Sequence, residues 1–364
     1  MACKAAPVTI SPLSPSYAAA RSAFLLAAGS AGATIESTVH PRLGLDGEEL
    51  AVDVATLGPA DAEDLVVVVS GTHGVEGYAG SALQTEWLQS HTAELPRTVG
   101  LIMVHALNPF GFSWVRRVNE DNVDLNRNFV DWTLPPPANP AYDRMADLLV
   151  PRSWSDTEQL RTLTALLEIV AEVGMEQMQT DVTSGQYTDP NGVFYGGAGP
   201  VWSHRWLREF AASRLSTAHR VAIIDLHTGL GRWGHGELIG SECAASDAHQ
   251  RATRWWGDVR SMVDGASASA ALSGDWLAAA AELAPQAEVT GVAIEYGTVD
   301  GLNSLQALRA DAWLHAHGDP TSKKSEPIRA ALRAAFADDD PAWVQALWPR
   351  FAQVLGAAFE QLGV

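Results

Sequence analysis

The chain has 364 residues, of which 47% are hydrophobic and 18% are charged, and its formal net charge at pH 7 is -19. This length and composition are typical of a globular protein, and they exclude a disulfide miniprotein and a disordered chain. The negative charge disfavours binding to nucleic acid or to an anionic membrane surface. The two cysteines, Cys3 and Cys243, belong to no CxxC metal cluster.

Five short runs rich in β-branched residues predict buried strands, and segments of helical character lie between them. The predicted strands are residues 50–56, 65–70, 99–104, 221–226 and 289–295, and the predicted helices are residues 78–90, 157–178, 203–215 and 247–263. This alternation is typical of a single α/β domain. We expect a mixed, largely parallel sheet with helices on both faces.

Two segments in the middle of the chain have distinct patterns. Ser155 and Glu158 predict a capping box at the start of the helix 157–178, whose leucines recur at helical spacing on one face. We expect this helix to serve as scaffold. The glycine-rich segment 183–203 predicts a long loop, and loops of that length tend to be functional.

The last part of the chain follows a polar segment and is predicted to be helical. Pro341 indicates a helix start, and Pro349 indicates an internal break. We predict a catalytic domain at residues 1–320 and a C-terminal helical segment at residues 321–364 that packs on it. The sequence gives no indication of the oligomeric state.

No segment has the features of a targeting or membrane-spanning sequence. Pro7, Pro12 and Pro15 interrupt the N-terminal apolar residues, so the order of regions found in a signal peptide is missing. The longest strongly apolar runs, residues 65–69 and 221–226, are far shorter than the roughly 20 residues that cross a bilayer. We therefore expect a cytoplasmic protein.

A candidate metal-binding pair directly follows the predicted strand 65–70. His73 and Glu76 lie at the carboxyl end of this strand, where ligand sites of open α/β sheets are found. An imidazole and a carboxylate suit Zn²⁺, and the flanking glycines allow the backbone to approach closely. The alternative interpretation is a loop histidine that caps a helix.

Two further strand ends carry polar side chains. The strand 221–226 ends at His227, which would complete a His, Glu, His set and leave one zinc position for water. The strand 289–295 ends in Glu295, and a carboxylate after an apolar run is costly unless it is paired or used. His105, His204 and His235 lie near these motifs, but we expect them to be loop or packing residues.

The glycines at residues 229–234 satisfy the GxGxxG pattern of dinucleotide-binding sites. Such a site needs the glycines to open a helix. Because the following residues 235–240 predict a strand, we discount this interpretation.

A polar stretch after the strand 99–104 combines arginines and amides. Arg116, Arg117, Asn126 and Arg127 all lie within it. Arginine binds a carboxylate through two parallel hydrogen bonds, so the stretch predicts a carboxylate-binding site. The alternative is a solvated polar loop.

Together these residues resemble the zinc carboxypeptidase family, which comprises carboxypeptidase A-like metallopeptidases and the related succinylglutamate desuccinylase and aspartoacylase group. The resemblance covers roughly residues 50–300 and follows the family's order of motifs. These are HxxE at residues 73–76, Asn-Pro-x-Gly at 108–111, Asp-x-Asn-Arg-Asn at 124–128, a strand-end histidine at 227 and a strand-end glutamate at 295. The resemblance implies a zinc ion held by His73, Glu76 and His227.

The resemblance also implies roles for the polar residues. Asn126 and Arg127 would hold the substrate carboxylate, and Asp124 would orient the first zinc-binding histidine. Glu295 would act as the catalytic base. Arg116 and Arg117 compete for the role of polarising the scissile carbonyl, and we favour Arg117, with Arg116 as a further substrate contact.

The sequence departs from the family pattern at one position. Carboxypeptidase A-like enzymes carry a mobile tyrosine between the third zinc ligand and the catalytic glutamate, but no tyrosine occurs between His227 and Glu295. Either Tyr187 and Tyr195 of the loop 183–203 replace it, or the substrate is not a peptide C-terminus.

The implied function is a zinc-dependent hydrolase that cleaves an amide bond next to a free carboxylate, on a small peptide or an N-acyl amino acid. A deacylase of small N-acyl amino acids is the alternative within this class. A catalytically inactive binding module is the alternative of another class, although all three predicted ligands and Glu295 are present. A serine hydrolase would need a GxSxG elbow, which the sequence lacks.

Overall fold

The structure is a computed structural model that describes residues 10–363. Cys3, Pro7 and the remainder of residues 1–9 lie outside the described residues, as does Val364. Eight strands form one sheet in the described part of the chain, in the order β1-β2-β4-β3-β5-β8-β6-β7. The strands are β1 (Thr34–Leu43), β2 (Glu49–Leu57), β3 (Asp64–Ser70), β4 (Val99–His105), β5 (Arg220–Trp233), β6 (Gly236–Gly240), β7 (Val259–Ser261) and β8 (Glu288–Gly297).

The four central strands β4, β3, β5 and β8 are parallel to one another. The pairs β1-β2, β2-β4 and β6-β8 are antiparallel, and β6-β7 is parallel. The predicted mixed, largely parallel sheet is therefore confirmed. The carboxyl ends of β3, β5 and β8 meet at one edge, so the residues that follow them come together there.

Helices cover both faces of this sheet in residues 10–363. They are α1 (Tyr17–Ser30), α2 (Gly77–Ser90), α3 (Pro109–Ser113), α4 (Pro140–Asp143), α5 (Ala146–Leu149), α6 (Asp156–Val173), α7 (Met175–Thr183), α8 (Trp202–Arg214), α9 (Asp247–Trp256), α10 (Ala280–Leu283), α11 (Gly301–His317), α12 (Glu326–Phe336) and α13 (Pro341–Leu362). Side chains alternate along β3, so that Val66 and Val68 join the core that contains α2 and α13. Val67 and Val69 join the opposite core, which contains α8.

Two predicted helices are shorter than expected because a glycine ends each of them. Gly174 has a φ of +88° and separates α6 from α7 within the predicted helix 157–178. Gly257 has a φ of +86° and ends α9, after which the chain forms β7 instead of continuing the predicted helix 247–263. Glycine adopts this left-handed conformation without the strain that other residues incur.

The edge strand β1 and the long helix α11 were not predicted. Nine of the ten residues of β1 are exposed, so the strand lacks the apolar run that identifies buried strands. The predicted capping box is confirmed, since Glu158 N–H donates to Ser155 Oγ at 3.3 Å.

The C-terminal helices are integrated into the fold. The buried Trp343 of α13 donates from its indole nitrogen to Gly297 O at 2.8 Å, at the end of β8. Pro341 starts α13 as predicted, but the predicted break at Pro349 is wrong, because the helix continues through it to Leu362. The boundary at residue 320 between a catalytic domain and a C-terminal segment stays a prediction.

Candidate metal centre

The three predicted zinc ligands lie together at the carboxyl edge of the sheet. His73 follows β3 and precedes a single 3₁₀ turn, Gly74–Glu76, that carries Glu76. His227 lies in β5 and pairs in register with Glu295 of β8, the neighbouring parallel strand. The sheet thus brings side chains from three separate parts of the sequence to one position.

Gly74 permits the close packing that this arrangement needs. A Cβ atom at residue 74 would lie 2.0 Å from the backbone carbon of Gly111, which is too close for any side chain. Gly74 N–H donates to Arg117 O at 3.1 Å. The glycine therefore lets the arginine-bearing segment pack directly against the metal-binding turn.

The donor atoms of His73, Glu76 and His227 all lie within 4.8 Å of one another, and the three residues are buried. Glu76 lies between the two histidines: Oε1 is 2.9 Å from His73 Nδ1, and Oε2 is 2.9 Å from His227 Nδ1. Two imidazole nitrogens and a carboxylate converging on one point match the ligand types that Zn²⁺ uses. The residues present therefore fit a zinc ion.

A carboxylate faces the other nitrogen of each histidine. His73 Nε2 lies 3.1 Å from Asp124 Oδ1, and His227 Nε2 lies 2.6 Å from Asp225 Oδ2. A histidine that donates its Nε2–H to a carboxylate keeps Nδ1 free to bind a metal. Both rings have Nδ1 toward Glu76, and Arg117 Nη2 also lies 2.9 Å from His73 Nε2.

Asp225 is a residue of the site that the sequence analysis missed. Its carboxylate accepts hydrogen bonds from Thr72 Oγ1 at 2.8 Å and from the indole nitrogen of Trp276 at 2.7 Å. The available indication was its position two residues before His227, because alternate residues of a strand point to the same face.

The charges in the cluster shift the pKa values of its members. Burial alone would raise the pKa of Glu76, but the charges and hydrogen bonds of His73 and His227 lower it below its ordinary range. Burial opposes the charged form of His227, yet Asp225 and Glu76 raise its pKa well above the ordinary value. Because metal binding needs a neutral imidazole, binding at this site would release protons.

The pKa of Glu295 shifts in the opposite direction to that of Glu76. Burial, together with the negative charge of Glu76, raises the pKa of Glu295 to about 7. Its Oε1 accepts a hydrogen bond from Leu230 N–H at 3.0 Å. The carboxyl group lines the same cavity as His73 and His227, so a proton-accepting group lies beside the candidate metal ligands.

Arg117 reaches the cluster and Arg116 does not. Arg117 donates from Nε to Asp124 at 3.0 Å and from Nη1 to Glu76 at 3.0 Å. Arg116 points away and donates from Nε to Asp311 of α11 at 3.0 Å. Of the two adjacent arginines, only Arg117 lines the cavity.

Asn126 and Arg127 also line the cavity. The guanidinium of Arg127 is fixed by Nε donating to Thr183 O at 2.9 Å and by Nη1 donating to Asn126 O at 3.0 Å. The buried Oδ1 of Asn126 has no hydrogen-bond partner among residues 10–363. Phe194 lies under both Arg117 and Arg127, at 5.6 Å and 5.5 Å from the guanidinium carbons.

The other residues considered from the sequence lie outside the cluster. Tyr187 donates to Arg127 O at 2.6 Å, but neither it nor Tyr195 lines the cavity. His105 stacks on Phe24 in the core, and burial lowers its pKa to about 4. The residues of the GxGxxG pattern lie in β5 and the turn after it, as expected for a pattern that is not a dinucleotide site.

A comparison with family models identifies the chain. The model described as "Protein of unknown function (DUF2817)" matches residues 13–350. The chain belongs to this family. A comparison with curated proteins gives no significant match. Within residues 10–363, every helix is too short or too polar to span a lipid bilayer.

Solved structures with similar folds come from several sources. Thrombin activatable fibrinolysis inhibitor (TAFI) is 10% identical, with 96% of this chain and 74% of that chain covered and a TM-score of 0.51. Carboxypeptidase A from Helicoverpa armigera is 14% identical, with 88% and 74% covered and a TM-score of 0.44. A succinylglutamate desuccinylase from Silicibacter sp. TM1040 is 14% identical, with 77% and 64% covered and a TM-score of 0.40. The predicted resemblance to the zinc carboxypeptidase family is confirmed as a likeness of fold.

Proposed function

We propose that the protein is a zinc-dependent hydrolase that cleaves an amide bond next to a free carboxylate. The observation that carries this proposal is the buried set of His73, Glu76 and His227, with Glu295 beside it in register on the next strand. Three protein ligands and a neighbouring carboxylate are the arrangement of a catalytic zinc site, whereas structural sites use four protein ligands.

Each residue of the candidate site would have a separate role in such a reaction. His73, Glu76 and His227 would hold the ion, and Asp124 and Asp225 would fix the two imidazoles. A bound zinc ion supplies a Lewis acid that activates water and polarises the amide carbonyl. Arg117, whose Nη1 lies 3.0 Å from Glu76 Oε1, would donate hydrogen bonds to the oxygen that becomes negative during the reaction.

Glu295 would act as general base and acid. A carboxylate with a pKa of about 7 exchanges protons efficiently near neutral pH. Leu230 N–H holds Oε1, and Oε2 accepts no hydrogen bond from residues 10–363. Glu295 Oε2 would therefore take the proton of the attacking water and pass it to the leaving nitrogen.

Arg127 would hold the carboxylate of the substrate. Its Nε and one N–H of Nη2 are bonded to Thr183 O, and one N–H of Nη1 is bonded to Asn126 O. One N–H on each terminal nitrogen remains available, which is what a two-bond contact with a carboxylate requires. Holding the substrate in this way makes the attack effectively intramolecular.

A deacylase acting on N-acyl amino acids is the second candidate. A large apolar cavity next to the site favours it over a carboxypeptidase, and none of the tyrosines in residues 10–363 lines that cavity. Both candidates share the amide bond, the free carboxylate and the zinc ligands.

The test is metal analysis of the purified protein, followed by mass spectrometry of the products from a mixed library of peptides and N-acyl amino acids. We expect zinc, and release of free amino acids that stops when a chelator removes the metal. Glu295→Gln is the matched control, because it removes the base and leaves the ligands in place. Product release that survives both chelation and Glu295→Gln would overturn the proposal.

A further inference from the structure

A cavity of about 410 Å³ extends from the candidate metal centre into the helical layer. This volume lies in the range of cavities that enclose small-molecule ligands. His73, His227 and Glu295 line one end. The remainder is lined by α6, α7, α11 and the segment 262–277, and the apolar side chains on α6 and α11 include Leu163, Leu166, Val170, Leu302, Leu305 and Leu308.

Part of the leucine face of α6, which the sequence analysis expected to serve as scaffold, lines this cavity. Leu163, Leu166 and Val170 recur at helical spacing and line the cavity together. From Leu163 to Val170 the helix rises about 10 Å. The apolar wall is thus elongated, and it suits a chain better than a compact group.

This wall begins on the Glu295 side of the site. Gly301 at the start of α11 lies next to Leu230, whose side chain would be 3.8 Å from a Cβ at residue 301. Leu230 N–H in turn holds Glu295. Arg127 belongs to the segment that follows β4, and β4 and β8 lie on opposite sides of the β3-β5 pair. The Arg127 guanidinium itself donates to Thr183 O at the end of α7, whereas the start of α11 lies beside Leu230 and Glu295.

The cavity opens to solvent between apolar side chains. Leu167 and Met175, on the α6–α7 side, are 45% and 54% exposed, and Leu302 at the start of α11 is 42% exposed. All three also line the cavity. Large apolar side chains around the opening of a cavity are typical of a site that binds apolar ligands.

We propose that the wall formed by α6 and α11 binds the aliphatic chain of the substrate's acyl group, so that the substrate is an amino acid carrying a long N-acyl chain. This proposal rests on the proposed function, since it assigns the two sides of the scissile amide. Water would add its oxygen to the acyl carbon as the C–N bond breaks. The products are a fatty carboxylic acid and a free amino acid, whose nitrogen takes the proton.

The first test is a series of N-acyl alanines with acyl chains from acetyl to dodecanoyl, assayed with the zinc-loaded protein. Burial of each added methylene should raise kcat/KM by about fourfold until the cavity is filled. A second series keeps the acetyl group and enlarges the amino acid side chain. A rate that rises with the side chain and not with the acyl chain would overturn the assignment of the wall.

A matched pair of variants on α6 tests whether the preference for long acyl chains depends on the side chains that line the cavity. Leu163 lines the cavity, whereas Leu160 on the same helix is 68% exposed and does not. Leu163→Trp should lower the ratio of kcat/KM for N-decanoyl alanine to kcat/KM for N-acetyl alanine by about 100-fold, the loss of several buried methylenes. Leu160→Trp should leave both substrates unchanged. Equal effects of the two variants would contradict the proposal.

Calorimetry separates failure of this proposal from failure of the proposed function. Binding of N-decanoyl alanine and of N-acetyl alanine is measured on the Glu295→Gln protein and on Glu295→Gln combined with Leu163→Trp. Tighter binding of the decanoyl compound, lost in the double variant, supports the wall even if the wild-type protein hydrolyses neither compound. Equal affinities for the two compounds would overturn it, whatever the activity.

Discussion

The two ends of the cavity are built in different ways. At the metal centre, each histidine is fixed from both sides: His73 by Glu76 and Asp124, and His227 by Glu76 and Asp225. At the other end, the leucines of α6 and α11 pack without directional bonds and several are partly exposed, although Arg309 of α11 donates to Thr162 of α6 at 2.8 Å. A satisfied network of hydrogen-bonded charges holds its side chains rigidly, whereas apolar packing tolerates exchange of one side chain for another of similar size. We therefore expect the chemistry to be sensitive to single substitutions and the substrate range to be adjustable.

Removal of a metal ligand should have the largest effect. His73→Ala should abolish both zinc binding and activity, because two remaining ligands cannot hold the ion tightly. Metal analysis and an amidase assay on the same preparation measure both losses. His235→Ala is the control, because it changes a histidine outside the cluster and should keep both zinc binding and activity. His105→Ala is unsuitable as a control because that ring is buried in the core. A His73→Ala protein that retains zinc would contradict the ligand assignment.

Glu295→Gln separates binding from chemistry at the same end of the cavity. Zinc content should be unchanged, since the proposal assigns Glu295 the role of base and not of ligand. Turnover should fall by about 10² to 10⁴-fold, the range for loss of a general base. Loss of zinc together with activity would make Glu295 a ligand instead.

Substitution of Arg127 tests the grip on the substrate carboxylate. Arg127→Ala should lower kcat/KM for free-acid substrates. The loss of transition-state stabilisation should be about 2 to 5 kcal/mol, the cost of truncating one side of a buried charge pair. Arg127→Lys should restore little, because an ammonium group cannot form the two parallel hydrogen bonds.

An amidated substrate is the control for Arg127. It has no carboxylate to hold, so Arg127→Ala should affect its hydrolysis less. Equal losses on both substrates would show that Arg127 acts through its contacts with Thr183, and that the carboxylate is bound elsewhere.

Asp225→Asn should weaken zinc binding less than loss of a ligand does. It tests whether a carboxylate orients His227 in the same way as Asp124 orients His73. Loss of a carboxylate behind a metal-binding histidine typically weakens metal affinity by about 10- to 100-fold. Asp124→Asn on the other histidine is the matched variant and should behave in the same way. Zinc titration of both proteins measures this. An unchanged affinity in Asp225→Asn would contradict the orienting role inferred from its 2.6 Å contact with His227.

The difference between the two ends also explains what could be predicted from the sequence. The mostly apolar runs 65–70, 221–226 and 289–294 are followed in the sequence by His73, His227 and Glu295, so pattern and position indicated the candidate metal centre. The same reasoning could also have identified Asp225, which lies two residues before His227 on the same strand. The sequence pattern could not decide between Arg116 and Arg117, because adjacent residues differ only in the direction that the folded chain gives their side chains.

The apolar wall could not be predicted for a physical reason. Helical spacing in α6 shows that one face is apolar, but it does not show whether that face meets the core or a cavity. The partner wall, α11, was not predicted at all. Gly174 and Gly257 ended two helices early, because a glycine with positive φ looks the same in a sequence as one inside a helix.

The most direct test of the account is a titration of metal-free protein with zinc, in which release of amino acid from an N-acyl amino acid is followed at each addition. Release should rise in proportion to the zinc bound and level off at one zinc per chain, and His73→Ala protein should show neither binding nor release. Full release from the metal-free protein, or release that does not follow the bound zinc, would contradict a metal-dependent hydrolase at His73, Glu76 and His227.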